Sequence, residues 1–334
     1  MNWKRIYAIL FGGVRKNLHL PYFLHGFGML LTPRWLTQFR RKSILRSFHQ
    51  LTVEEQAAVQ QRVNYYCRLD STCLLPAGAP SLGDQHFFHR HEPSVYFFDT
   101  YEWNRFFPSH LHWLHDAGDV NYLESAPTIV KSRPITPNNE NAYSVLINQD
   151  KVRHFMFFRD PIPLKEKKNQ VIFRGAVKRK KIREEFVRLY HDNPLFDIYD
   201  SSGYSSQDPT EIRKQTPIYD HLQFKFIMCL EGNDVASNLK WVMNSNSLAV
   251  SPRPTCETWF MEGLLIPNYH YIEILPDFSD LELRIAYYID HPEEAQAIVD
   301  HAHEFCSQFF NKQRERLVSL MVMEKYFRQT GQEL

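Results

Sequence analysis

The run Glu231-Gly-Asn-Asp-Val-Ala-Ser-Asn-Leu-Lys240 sets one glycine and several short polar side chains at the head of an apolar pattern. Val235, Leu239, Val242 and Met243 recur at helical spacing. A helix starting there leaves its first backbone N–H groups without internal partners, and its dipole favours negative charge at that end. The loop with Gly232, Asn233, Asp234, Ser237 and Asn238 is therefore a candidate cradle for a diphosphate, with Lys240 one turn further on. A capped surface helix would show the same pattern. Two short strand-like runs follow, 247–250 and 271–274, and between them a loop carries Glu257 in Glu257-Thr-Trp-Phe-Met-Glu-Gly263.

With these residues in view, the run from Lys225 to Ile274 resembles the C-terminal signature of the family 90 glycosyltransferases. The form Glu257-Thr-Trp-Phe-Met-Glu-Gly263 with Tyr269-His-Tyr271 is similar to the bacterial branch that builds lipopolysaccharide core. Val171-Ile-Phe-Arg-Gly-Ala176, with Arg183 after it, resembles the family's Phe/Trp-Arg-Gly motif. The likeness runs from about Ser125 to Ser279 and leaves the first 90 residues aside. It departs at Lys131-Ser-Arg-Pro134, where the animal members carry Arg-Asp-Tyr-Pro with a catalytic aspartate, so that base cannot be carried over.

The resemblance implies an inverting transfer of a hexose, glucose or galactose, from a uridine diphosphate donor to a heptose of the lipid A-core. Breaking the anomeric bond leaves a diphosphate with added negative charge, which a metal ion or fixed cationic donors must stabilise. No Asp-x-Asp triplet occurs, and the densest histidine cluster, His89-Arg-His91, lacks matched ligands, so no metal and no cofactor beyond the donor substrate are expected. Arg174, beside Gly175, and Arg183 are the candidates for the diphosphate, because a guanidinium can pair two oxygens of one phosphate. Glu257 is the candidate for the ribose hydroxyls. The run Lys178-Arg-Lys-Lys181 reads either as a solvated charged face or as a contact for core phosphates.

A general base must take the proton of the acceptor hydroxyl. Asp160, Asp99 and Glu140 are the carboxylates at strand ends or turns in the acceptor half, with Asp160 leading and His154 a possible helper. Transfer to a capsular or protein acceptor stays open, as does a non-catalytic membrane-associated scaffold, which the missing aspartate would suit.

The elements that must position these groups suggest an α/β enzyme of the GT-B type, two facing Rossmann-like domains with a long C-terminal helical tail. Its 334 residues, 43% hydrophobic and 14% aromatic, suffice for two cores. The proline- and charge-rich stretch 160–169 sets the boundary, giving residues 1–165 for the acceptor and 166–334 for the donor. Thr52 with Glu55 marks a capping box ahead of a helix to Arg68; 94–98 and 128–131 read as strands around a helix over 103–115, and 292–328 reads as a helix. Lys and Arg total 39 against 38 acids, which argues against nucleic acid as a partner.

Five cysteines without a paired spacing read as reduced thiols in a cytoplasmic protein. No segment is apolar enough over ~20 residues to span a bilayer or to serve as a signal. The aromatic-rich stretch Leu18 to Trp35, followed by Arg40, Arg41, Lys42 and Arg46, suits either core helices or peripheral contact with an anionic inner membrane.

Overall fold

The structure is a computed structural model that describes residues 19–89, 92, 94–202 and 217–334. Its strands are β1 His115–Asp116, β2 Thr128–Val130, β3 Ser132–Pro134, β4 Ser144–Leu146, β5 Lys168–Gly175, β6 Phe196–Asp200, β7 Phe224–Met228, β8 Leu248–Ser251, β9 Cys256–Thr258 and β10 Ile272–Glu273. Its α-helices are α1 His19–Leu31, α2 Arg34–Arg46, α3 Val53–Tyr66, α4 Ser94–Asn104, α5 Lys151–His154, α6 Lys181–Tyr190, α7 Ile218–His221, α8 Leu239–Met243, α9 Leu281–Asp290, α10 Pro292–Ser307 and α11 Lys312–Gln329.

Two compact units form, and neither is continuous in sequence. Within the described residues, one comprises 19–89, 92, 94–152, Thr255–Glu262 and Phe309–Leu334; the other comprises 153–202, 217–254 and Gly263–Gln308. The expected division at 165/166 therefore shifts, and the chain returns twice to the first unit. Aromatic packing explains the first return. Trp259 stacks on Tyr66 with centroids 3.8 Å apart, its backbone oxygen accepts from the Tyr66 hydroxyl at 2.8 Å, and its indole donates to Glu315 at 2.7 Å.

The second unit is built on a wholly parallel sheet in the order β10-β8-β7-β5-β6. Both faces are covered, so its inner strands read as unbroken apolar runs: Val171-Ile-Phe173 in β5 is buried, and so is every residue of β7. Phe186 of α6, Ile285 of α9 and Ile298 of α10 close the core over it. The helix expected over 292–328 is broken at 308–311, and Asn311 caps α11 by accepting from Gln313 and Arg314 N–H at 3.0 Å.

In the first unit β1, β2 and β4 form a parallel sheet, and β3 pairs antiparallel with β9. The capping box forms at the start of α3: Glu55 N–H donates to Thr52 Oγ1 at 3.3 Å and Thr52 N–H to Glu55 Oε2 at 3.1 Å. Residues 94–98, expected as a strand, open helix α4 instead. Tyr96 to Thr100 are all buried, polar Asp99 and Thr100 included, so burial reaches every side of the turn and no apolar period separates helix from strand.

Candidate functional site

Order in the parallel sheet fixes where a ligand can sit. The chain goes from β5 out to β6, then crosses back to β7 on the other side of β5 and continues to β8 and β10. Open α/β sheets bind ligands outside the strands' carboxyl ends at such a reversal. Here the reversal lies between β5 and β7, whose following loops are 176–180 and 229–238.

Arg183 ties those two loops together. Its Nε donates to Glu231 O at 3.0 Å, Nη2 to Leu230 O at 2.7 Å and Nη1 to Ala176 O at 3.0 Å. Both glycines singled out in the sequence make room for it. A Cβ on Gly175 would lie 2.9 Å from the Phe173 ring and 3.3 Å from Arg183 Nη1, and one on Gly232 would lie 3.2 Å from Nη2. A guanidinium has five N–H groups, so three are spent on carbonyls and one remains on each terminal nitrogen. Burial pushes the Arg183 pKa down, with Asp234 opposing, yet arginine starts so high that the charge persists.

The neighbouring candidates frame this clamp. Asn233 accepts from Lys180, and Asn238 donates to Met228 O at 3.0 Å. Asp200, a residue the sequence reading missed, ends β6 and accepts from Val177 N–H at 3.0 Å and Ser202 N–H at 2.8 Å, fixing the loop after β5. Arg174 pairs with Asp197 at 2.6 Å. Lys178, Arg179 and Lys181 are exposed, as a solvated face requires.

Two expectations for this region are corrected. The helix expected from Val235 begins only at Leu239 and has 5 residues, because Asp234, Val235 and Ala236 are buried in the loop. Too few peptide dipoles align there for the proposed macrodipole, and Lys240 is itself fully buried.

Glu257 belongs to the first unit. It stands directly across from Arg133 in the β3–β9 pair. Arg133 Nε donates to its Oε1 at 2.8 Å, Arg68 Nη2 donates to the same oxygen at 3.2 Å, and the Tyr65 hydroxyl donates to Oε2. Arg133 also reaches Ser144 O at 2.9 Å and Tyr65 O at 2.7 Å, and neither it nor Glu257 is exposed. Burial works against the Arg133 charge, with Glu257 the chief group sustaining it. The expected ribose contact is thus, in this structure, the counter-ion of a buried arginine.

The three carboxylates weighed as bases differ sharply in access. The Asp160 side chain is buried, pairs with Lys167 at 2.8 Å and accepts from Asn246 N–H at 2.9 Å and Ile162 N–H at 2.9 Å, so it staples two loops. Asp99 is also buried, accepting from the Tyr22 hydroxyl at 2.9 Å and Lys151 N–H at 3.1 Å, and burial pushes its pKa up. Glu140 is exposed on the turn between β3 and β4, beside Asn141, whose side chain binds Arg68 at 3.0 Å. His154 is buried.

Among the described residues no three His, Cys, Asp or Glu side chains gather to hold a metal, and His91 lies outside those residues. None of the five cysteines is in a disulfide; burial raises the Cys67 thiol to about 11.

A parallel sheet whose switch-point loops are clamped by an arginine with donors to spare is the framework of a ligand-handling α/β enzyme. The family model described as Glycosyl transferase family 90 matches residues 154–327. The chain is 40% identical over 306 residues to the O-glucosyltransferase LpsA of Dichelobacter nodosus, covering 92% of this chain and 94% of that protein. It is also 27% identical over 129 residues to the uncharacterized protein 035R of Invertebrate iridescent virus 3, covering 38% of this chain and 11% of the viral one. The chain belongs to glycosyl transferase family 90 and is a glycosyltransferase.

Proposed function

We propose that this transferase moves a hexose from a uridine diphosphate donor to a heptose of the lipopolysaccharide inner core, with inversion and without a metal, in a GT-B-type division of labour. The observation that carries the donor half is the Arg183 clamp at the β5/β7 reversal, with one N–H left on each terminal nitrogen for a diphosphate. Likeness to the O-glucosyltransferase of Dichelobacter nodosus favours glucose over galactose. Sequence likeness to the bacterial core-building branch supports the heptose acceptor.

Glu140 takes the proton of the attacking hydroxyl, since it alone of the three candidate carboxylates is exposed while Asp160 and Asp99 are buried and hydrogen-bonded. The test is transfer from labelled UDP-glucose and UDP-galactose to heptose-terminated core in the presence of EDTA, with product linkage read by NMR. A sugar attached to heptose with inverted configuration meets the proposal. Activity that vanishes with chelator and returns with manganese overturns its metal-free step, and transfer only to protein overturns the acceptor.

A further inference from the structure

Six large apolar side chains exposed to solvent fall between Leu24 and Phe39: Leu24, Phe27, Leu31, Trp35, Leu36 and Phe39. They flank the corner at Thr32-Pro33 between α1 and α2, and Leu31 is 86%, Trp35 69% and Phe39 80% exposed. The other faces of these helices are already used. Gly26 approaches Phe98 so closely that a Cβ would come within 2.7 Å of the ring, Met29 is buried, and Thr37 Oγ1 donates to Arg105 O at 2.8 Å. Phe27 still meets the Phe87 and Phe98 rings at 5.4 Å, but the exposed Leu31, Trp35 and Phe39 are surplus to the core of this unit.

On α2 the exposed stripe changes character along its length, from Trp35 and Phe39 to Lys42 and Arg46, with Arg40 beside it. Two neighbouring arginines do not share this face. Arg34 donates to Leu82, Asn104 and Phe107 carbonyls at 3.1–3.3 Å, and Arg41 lies over the Phe107 ring at 4.9 Å. The charge of the whole chain is polarised in the same direction. Residues 1–53 hold nine of the 39 Lys and Arg and none of the 38 acids, leaving 30 bases against 38 acids elsewhere.

We propose that α1 and α2 form a docking wedge for an anionic bilayer, with Leu31, Trp35 and Phe39 entering the boundary between headgroups and acyl chains and Arg40, Lys42 and Arg46 meeting lipid phosphates. An apolar edge backed by cations matches that interface chemically. A second copy of the chain fits worse, because a two-fold contact would press like-charged faces together. No described helix is long and apolar enough to cross the membrane, so the contact is peripheral.

Co-sedimentation of the full chain with vesicles of phosphatidylcholine, alone or mixed with phosphatidylglycerol, tests this without any transfer assay, so its failure would leave the transferase reading untouched. Binding should require the anionic lipid and weaken with salt. Arg40→Glu with Lys42→Glu and Arg46→Glu should lower partitioning by about 100-fold or more, from the per-residue attraction near such a surface. Trp35→Ser with Phe39→Ser should lower it at every salt concentration. Both variants should keep the wild-type urea midpoint, since the altered side chains project from the core. Equal binding to neutral vesicles overturns the proposal. So does wild-type binding by both variants, or a dimer that the Trp35→Ser/Phe39→Ser variant dissolves while vesicles are ignored.

Discussion

Replacing Glu257 by glutamine separates two roles for this residue. The substitution keeps the shape but removes the charge, and the fully buried Arg133 then faces a neutral amide. Arg68 reaches the same oxygen at 3.2 Å and loses that negative charge too, keeping its bond to Asn141. Breaking a buried pair from one side costs about 3–5 kcal/mol, because the remaining charge cannot be resolvated. A unit of this size shifts by about 2–4 °C per kcal/mol, so its melting should fall by roughly 6–20 °C. Calorimetric unfolding measures that, and titration with uridine diphosphate measures the donor site in the same sample. Arg133→Met combined with Glu257→Met should recover much of the loss, since removing both charges strands neither. A Glu257→Gln variant that melts like wild type but binds uridine diphosphate about tenfold more weakly, a loss of about 1.4 kcal/mol, would refute the counter-ion account. It would restore Glu257 to the donor.

Arg183→Ala should both destabilise the second unit and weaken uridine diphosphate binding by about 1.5–3 kcal/mol, the range for one lost charged hydrogen bond, while Arg183→Lys should fall between; unchanged titration isotherms would remove the clamp from the site. Asp160→Asn should lower stability by about 3–5 kcal/mol for stranding buried Lys167, and the melting temperature with it, with transfer per folded molecule intact. Glu140→Gln should do the reverse, keeping stability while turnover drops by ~10²–10⁴-fold, and normal turnover would exclude it as base. Burial holds the His115 pKa below its ordinary value, with a hydrogen bond to Gln149 opposing. The unfolded chain therefore binds the proton first, and the first unit should lose stability as pH falls below ~6.5, by at most about 1.4 kcal/mol per pH unit. His115→Gln should flatten that slope in urea titrations at stepped pH.

What the sequence reveals depends on whether a signal is local. The strand β8 is legible because burial on both faces demands consecutive apolar residues, and the Thr52–Glu55 cap is legible because its partners lie one helical turn apart. β6 lacks such a signal, because Phe-Asp-Ile-Tyr-Asp over 196–200 mixes apolar and polar residues and is fully buried only at its two ends. Helix α4 was hidden because burial on all sides erases the period.

The ion pairs lay beyond reach for another reason. Arg133 and Glu257 are 124 residues apart and meet only through the β3–β9 register. No pattern near either one announces the other.

Residue type alone could nominate Arg183, Glu257 and Asp160, but it could not rank them, because what decides is how much bonding capacity the fold has already claimed. Arg183 gives three N–H groups to carbonyls and keeps two, enough to be held rigid and still bind an anion. Glu257 takes donors from Arg133, Arg68 and Tyr65. Asp160 takes them from Lys167, Asn246 and Ile162. A buried carboxylate so engaged could serve a substrate only by first surrendering a partner that would itself be left charged or unbonded, and that cost opposes the chemistry it was nominated for. The same reasoning explains why Gly175 and Gly232 matter without carrying any polar side chain. Gly232 holds open the space in which the Arg183 guanidinium lies, so an alanine there should act on the donor site through Arg183, whereas at Gly175 it would press first on the Phe173 ring.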